Sequence, residues 1–334
     1  MVSNKLLVIR RRFLKSLNLL PLGEQLIRKV EFIRGLYQHP NKMIGRKLPP
    51  INHHYITKRT DVLVFAAHSD DEVLGLGASL YRHSAKGDNI KIVFTTNGSA
   101  DWYGLQSWHI KTKESTKRAE IRYKEAVNAL SLLNIPKENI YCLGYPDGGS
   151  QRYLKNMEDD IQFLMKTLNP GKVYVHCIEG GHVDHDMTSF VVKTTCKKIG
   201  FNNVFEWAEY NPKQPIGTKN IKFLPNPVNT FKETILDITE EERHLKRMML
   251  SCHKSQQVEE YYAQGEALRQ ANLKNVEIEL MEHCQLPKFR LHSIVKKYNK
   301  PFINKNKGDI RTTEPVKKYF MFLIAIQQLP LFNL

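Results

Sequence analysis

The amino-acid sequence predicts an α/β protein: a Rossmann-like, mostly parallel sheet with helices on both faces, extended at each end by helical segments. Two observations lead there. From about residue 61 to residue 207, short apolar runs closed by turn residues alternate with stretches of helical period, the pattern of successive β-α units. The charge is also unevenly spread. Of a net +16 over 334 residues, residues 1–60 carry 13 Lys/Arg against 2 Glu, and residues 286–334 carry 10 Lys/Arg against 2 acids. The stretch between them is therefore slightly acidic. A nucleic-acid binder carries its excess across a folded face, and here the excess belongs to the ends, so no nucleic-acid partner is expected.

Taken in order, Asp61–Ala67 (DVLVFAA) is almost wholly apolar, as a strand buried on both faces requires. A helix is expected from about Glu72, then a strand over Asn89–Thr96 that ends in Asn97-Gly98. Ser115–Leu133 has Ile121, Ala126, Ala129 and Leu133 at helical spacing. Asn139–Leu143 makes a third strand, closed by the turn Tyr145-Pro146-Asp147-Gly148-Gly149. A helix near Glu158–Leu168 and the turn Pro170-Gly171 precede the strand Lys172–Cys177. A further helix over about Met187–Ile199 leads to a fifth strand, Asn203–Trp207. Thr239 followed by Glu242 is a capping-box pair, which opens a helix running to about Gln257.

The ends are of another kind, and the expected division is a basic N-terminal extension over 1–60, a catalytic domain over 61–257 and a basic C-terminal extension over 258–334. Leu22, Leu26, Val30, Ile33 and Leu36 recur at helical spacing with Arg28, Lys29 and Arg34 between them. Lys317-Lys318 precede an uncharged run, Tyr319–Leu334, too short to span a bilayer. The plain expectation is that both ends pack on the core. The sharper one is peripheral contact with an anionic membrane, where each basic residue contributes about 1 kcal/mol. Near the start, Arg10-Arg11-Arg12 interrupts the short apolar run Leu6–Ile9, so no secretory signal is expected. Five cysteines with no CxxC pair suit reduced thiols. A cytoplasmic protein, peripheral at most on the inner face of a membrane, is the resulting expectation.

Two clusters carry the chemistry: His68-Ser69-Asp70-Asp71-Glu72 and Gly180-Gly181-His182-Val183-Asp184-His185-Asp186. Each follows a predicted parallel strand at its carboxyl end, where open α/β sheets form their ligand crevices. Imidazole and carboxylate donors suit a hydrolytic zinc with three protein ligands and a water, and iron fits the same His/His/Asp set. His68 and Asp71, three apart on a strand-to-helix turn, can reach one ion, with His185 as third ligand. Asp70 is then free to take a proton from the attacking water. His182 and Asp184 form a second pair, the carboxylate orienting an imidazole that faces the developing oxyanion. Gly75, Gly77, Gly180 and Gly181 let backbone approach closely. His176 and Cys177 read as core residues and Glu179 as loop charge. Against this stands the plain reading of each cluster, in which acids at a helix start merely complement its dipole.

Ala67-His68-Ser69-Asp70-Asp71-Glu72 resembles the AHPDDE signature of the PIG-L/LmbE zinc-dependent de-N-acetylases, and His182-Val183-Asp184-His185 their HxDH motif. Thr96-Asn97-Gly98, Arg122-Tyr123-Lys124-Glu125, Tyr145-Pro146-Asp147-Gly148 and His253-Lys254-Ser255-Gln256 match further family markers in family order, over about Asp61–Gln257. Ser69 departs from the motif proline, which removes a fixed φ from the turn and leaves the ligand and base residues intact. The resemblance implies zinc on His68, Asp71 and His185, Asp70 as general base, and His182 stabilising the tetrahedral intermediate or protonating the leaving amine. It also implies sugar contacts from Arg122 and Asp147, and an N-acetylglucosamine-type amino sugar or its conjugate as the substrate that loses acetate. Two other functions compete: a metal-dependent phosphoesterase using Asp70, Asp71, Asp184 and Asp186, and a catalytically silent relative that binds a membrane surface.

Overall fold

The apolar run after Asp61 becomes the middle of the sheet. β1 (Val62–Ala66) is buried along its whole length, paired in parallel with β2 (Ile90–Thr96) on one side and β4 (Lys172–His176) on the other. β3 (Ile140–Tyr145) lies outside β2 and β5 (Val204–Ala208) outside β4, again parallel. In this computed structural model residues 23, 25–26, 44–49, 59–100 and 112–298 are described, and they fall in one unit, Pro21–Tyr298. Most of the amphipathic stretch 21–36 and all of the run 319–334 lie outside them. Among the described residues no helix is long and apolar enough to cross a membrane.

Among the described residues from 59 onward, seven α-helices flank the sheet: α1 (Asp71–Ala85), α2 (Thr112–Ser131), α3 (Leu154–Leu168), α4 (Val183–Ile199), α5 (Glu240–Ser251), α6 (Val276–His283) and α7 (Lys288–Tyr298). Successive side chains of β1 point to opposite faces. Leu63 and Phe65 join a core with α3, α4, α6 and α7, while Val62, Val64 and Ala66 join one with α1, α2 and α5. The two-sided burial explains why β1 shows no polar alternation.

With β6 (Thr234–Ile235) and β7 (Ala267–Gln270) at one edge, the strand order is β3-β2-β1-β4-β5-β7-β6. From β1 the chain winds outward through β2 and β3, and from β4 it winds the other way through β5. The switch point therefore lies between the carboxyl ends of β1 and β4, the position at which such sheets open a crevice. Both sequence clusters leave the sheet there.

Several boundaries differ from the sequence expectation, α3 opening at Leu154 and not near Glu158 among them. α4 begins at Val183, earlier than about Met187, because His182 serves as its N-cap and accepts the Asp184 N–H on its ring. α5 ends at Ser251, short of Gln257: Ser255 donates its N–H and hydroxyl to Glu125 of α2, 2.9 and 2.6 Å away, and Gln257 takes φ 56°. That latch bends the chain where local periodicity continues a helix. The sheet also runs past the expected limit at residue 257. β7 (Ala267–Gln270) pairs antiparallel with β5, and β6 (Thr234–Ile235) with β7. Neither short strand has a readable period, and β7 is tied in by a buried ion pair from Arg269 to Glu206, 2.6 Å long.

Candidate metal centre and active site

His68 sits two residues beyond β1, and Asp71 is the first residue of α1. An Asp before a helix ordinarily caps it with its side chain. Asp70 occupies that position at φ 151°, ψ −26°, yet makes no side-chain cap. Its Oδ1 instead accepts from Arg122 Nη2 at 3.2 Å, while its own N–H donates to Glu72 Oε2 at 3.0 Å. A strained backbone that gives up a helix cap is the signature of a side chain required elsewhere.

On the facing turn of α4, His185 points back at the β1 loop. Three donor atoms meet there. His68 Nδ1 lies 3.2 Å from Asp71 Oδ2, His185 Nε2 lies 3.3 Å from the same oxygen, and the two imidazole nitrogens are 3.3 Å apart. The two distant segments thus converge on one nearly equilateral triangle. Two zinc–ligand bonds of about 2.0–2.1 Å at a tetrahedral angle set their donor atoms about 3.4 Å apart, so the residues fit a divalent ion. Although burial pushes the Asp71 carboxyl up, His185 and His68 hold it well below its ordinary value, and it stays ionised.

The other nitrogen of His68 is also accounted for. Nε2 faces Asp184 Oδ2 at 3.3 Å and Asp147 Oδ1 at 3.4 Å, the carboxylate-to-histidine support that orients metal ligands. Asp147, at the turn after β3, also meets Arg122 at 3.5 Å and accepts the Ala100 N–H at 3.1 Å. The Asp184 carboxylate accepts from Gly148 N at 2.6 Å and from Ser150 N and Oγ at 3.1 and 2.6 Å. It stands 3.9 Å from the His182 ring. The expected pairing of these two is therefore corrected: the Asp184 N–H, not its carboxylate, orients His182, reaching Nδ1 at 3.2 Å. The proton of the neutral ring is then on Nε2. Burial and then His68 lower the pKa of His182 to about 4.

Burial raises the Asp70 carboxyl to about 6, against the opposing pull of Arg122. Of the other acids in the phosphoesterase reading, Asp186 turns one oxygen to its own loop, Oδ1 accepting the N–H groups of Glu179 and Gly180 at 3.0 and 3.1 Å.

Two residues read as bland from the sequence are part of this centre. His176, the last residue of β4, lies 3.3 Å from Asp71 and stacks on His185 with ring centroids 4.0 Å apart. Glu179 is buried, and its carboxylate gathers Glu209 N, Tyr210 N and Asn211 Nδ2 at 2.7, 3.2 and 2.9 Å. Glu209 and Tyr210, just past β5, escaped the sequence reading; the ring of Tyr210 meets that of His185 edge-on at 5.2 Å. Their common signal was a polar residue closing a strand at its carboxyl end. Gly181 admits this loop, since a Cβ there would fall 2.0 Å from the Tyr210 carbonyl.

Residues 63–196 match the family model PIG-L, described as GlcNAc-PI de-N-acetylase. This segment is a PIG-L family domain. Around it, the chain is 27% identical over 165 residues to the uncharacterized deacetylase YaiS of Escherichia coli (strain K12), a match covering 47% of this chain and 80% of that protein. The fold is shared with a solved deacetylase triple mutant of the teicoplanin biosynthetic pathway, at TM-score 0.51 and 18% identity, over 63% of this chain and 97% of that one. It is shared as well with the zinc-inhibited form of teicoplanin deacetylase Orf2, at TM-score 0.50 and 17% identity, over 63% and 97% of the two chains. The matched family model and the curated relative both carry deacetylase descriptions. The segment matched by the family model ends before β5, so Glu209 and Tyr210 are supplied from beyond it.

Proposed function

We propose that the chain is a metal-dependent hydrolase that removes the N-acetyl group from an N-acetylglucosamine-type amino sugar or its conjugate. The observation that carries this reading is the triangle of His68 Nδ1, Asp71 Oδ2 and His185 Nε2, with edges of 3.2, 3.3 and 3.3 Å. The donor types favour zinc, and iron fits the same set. A divalent ion bound there supplies Lewis acidity to the acetyl carbonyl and to the attacking water.

The remaining steps belong to the chain's own side chains. Asp70, outside the ligand triangle, takes a proton from water as its oxygen adds to the carbonyl carbon. The negative charge develops on the carbonyl oxygen, and His182, whose Nδ1 is engaged by the Asp184 N–H, donates from Nε2 to it. When the C–N bond breaks, Asp70 returns its proton to the nitrogen, leaving acetate and a free amine. Arg122, buried against Asp70 and Asp147, sits where a guanidinium fork can bind sugar hydroxyls while holding Asp70 in place. The family description supports the amino-sugar substrate.

The test is a screen of N-acetylhexosamine conjugates with the zinc- and iron-loaded full chain, measuring acetate and primary amine together. Equal amounts of both products, lost on chelation and in His185→Ala, are expected. Release of phosphate from phosphoesters, with two ions bound per chain, would overturn the reading.

A further inference from the structure

Behind the ligand triangle lies a buried layer that the chemistry above does not use. His176 and Glu209 are 1% and 0% exposed. His176 Nε2 accepts the Ala67 N–H at 3.0 Å, so the proton of the neutral ring is on Nδ1, which faces Glu209 Oε2 at 3.2 Å. That oxygen in turn accepts Trp207 Nε1–H at 2.9 Å. The same Nε2 edge lies 3.3 Å from Asp71 Oδ2, and the ring face stacks on His185 with centroids 4.0 Å apart and the rings 22° from parallel.

We propose that His176 and Glu209 are positioning residues, a buried imidazole–carboxylate pair that fixes Asp71 and His185 for metal binding. The inference rests on the metal-dependent reading above. The alternative, that the pair itself ligates an ion with Asp71 and His185, fails on lone pairs. One nitrogen of His176 is taken by the Ala67 amide and the other carries a proton, so no free nitrogen is left. Glu209 lies a layer deeper, with one oxygen held by Trp207. What the pair does instead is mechanical and electrostatic. The stacked ring restricts the rotation of His185, and the Ala67 amide fixes the ring of His176. Glu209 Oε2, 3.2 Å from Nδ1, occupies the place that second-layer carboxylates take behind histidines near metals. The device draws on three strand ends: Ala67 follows β1, His176 closes β4, and Trp207 with Glu209 comes from the end of β5. Gly75 is part of it, because a Cβ there would come within 2.2 Å of the Trp207 ring.

The test measures zinc affinity of the full chain by competition with a chromophoric chelator, in the wild type, Glu209→Gln and Trp207→Phe, alongside thermal unfolding of the metal-free forms. Glu209→Gln keeps volume and replaces the carboxyl group facing Nδ1; zinc affinity falls about 10–100-fold. Trp207→Phe keeps the ring packing and removes the donor to Glu209, and the loss is smaller than in Glu209→Gln. In both, acetate release recovers toward the wild-type kcat at saturating zinc, which a general loss of structure would not allow. Wild-type affinity in both variants, with the fold intact, overturns the inference and leaves the proposed function standing. If Glu209→Gln does not fold, Trp207→Phe decides the question alone. If the wild type binds no zinc or iron, the function itself is wrong.

Discussion

Lys193, Glu206, Arg269 and Glu279 are buried as thoroughly as Asp70, Asp71, Asp147 and Asp184, yet the two groups are built differently. In the first, two cations meet two carboxylates. Lys193 contacts Glu206 and reaches Glu279 at 2.8 Å, while Arg269 reaches Glu206 at 2.6 Å and Glu279 at 3.5 Å. Asn229 adds a hydrogen bond to Glu206 at 3.0 Å. The charges cancel within the group, and it joins α4, β5, β7 and α6. In the second, four carboxylates crowd one crevice. Arg122 answers Asp70 and Asp147, and backbone and hydroxyl donors serve Asp184. Asp71 has imidazoles around it. Burying uncompensated charge costs several kcal/mol per ion, so a set left anionic inside a fold calls for a cation. The difference teaches that buried charge alone does not mark a site. The sign of the remainder does.

Each half of that comparison can be broken separately. The largest expected effect is in the crevice: Asp70→Asn lowers kcat about 10²- to 10⁴-fold while zinc binding, read by chelator competition, is retained. A loss of zinc in this variant would make Asp70 a ligand and erase the distinction between base and metal set. Next is the balanced group. Lys193→Met leaves two buried carboxylates to share the single cation of Arg269 and costs about 3–5 kcal/mol in denaturant unfolding, with zinc affinity unchanged. A change in zinc affinity would join the two groups energetically and break the comparison.

A smaller effect concerns His253, which is fully buried, with neither ring nitrogen hydrogen-bonded among the described residues. Burial and then Arg122 lower its pKa to about 3, below the ordinary imidazole value near 6.5. Protonation therefore favours the unfolded chain. The wild type loses stability as pH falls from about 6.5 towards 3, by up to about 1.4 kcal/mol per pH unit from this group. The expectation is a shallower slope in His253→Phe, read by unfolding across that window; an unchanged slope would show the group titrating alike in both states. Smallest is Ser255→Ala, which removes one hydroxyl bond to Glu125 at 2.6 Å. It costs about 0.5–1.5 kcal/mol, checked by thermal unfolding, with acetate release unaltered.

Much of this centre was legible from local pattern because its parts are local. His68 to Asp71 is one turn, His182 to His185 is another, and each follows an apolar run whose end could be read. A strand's burial appears in its composition, and a turn's chemistry appears in a few neighbouring residues. His176 is buried as the sequence suggested, whereas Glu179 is buried where loop charge was expected, because a single acid past a strand end carries no local sign of what encloses it. β7 and β6 were missed because four-residue and two-residue strands carry no period, and their place depends on partners far along the chain.

The order of strands and helices, the acidic middle between basic ends, and the identity of the donor residues are properties of the sequence by itself, since each depends on composition or on spacing within a few residues. Tertiary structure alone decided which nitrogen of His68 turns to Asp71 and that Asp184 holds the 148–150 turn in place of the His182 ring. It also decided that His176 and Glu209 stand behind Asp71 and His185. These outcomes follow from the direction change between β1 and β4, which brings strand ends more than a hundred residues apart within hydrogen-bonding distance. Such contacts are set by packing across the sheet, which no short stretch of the chain encodes.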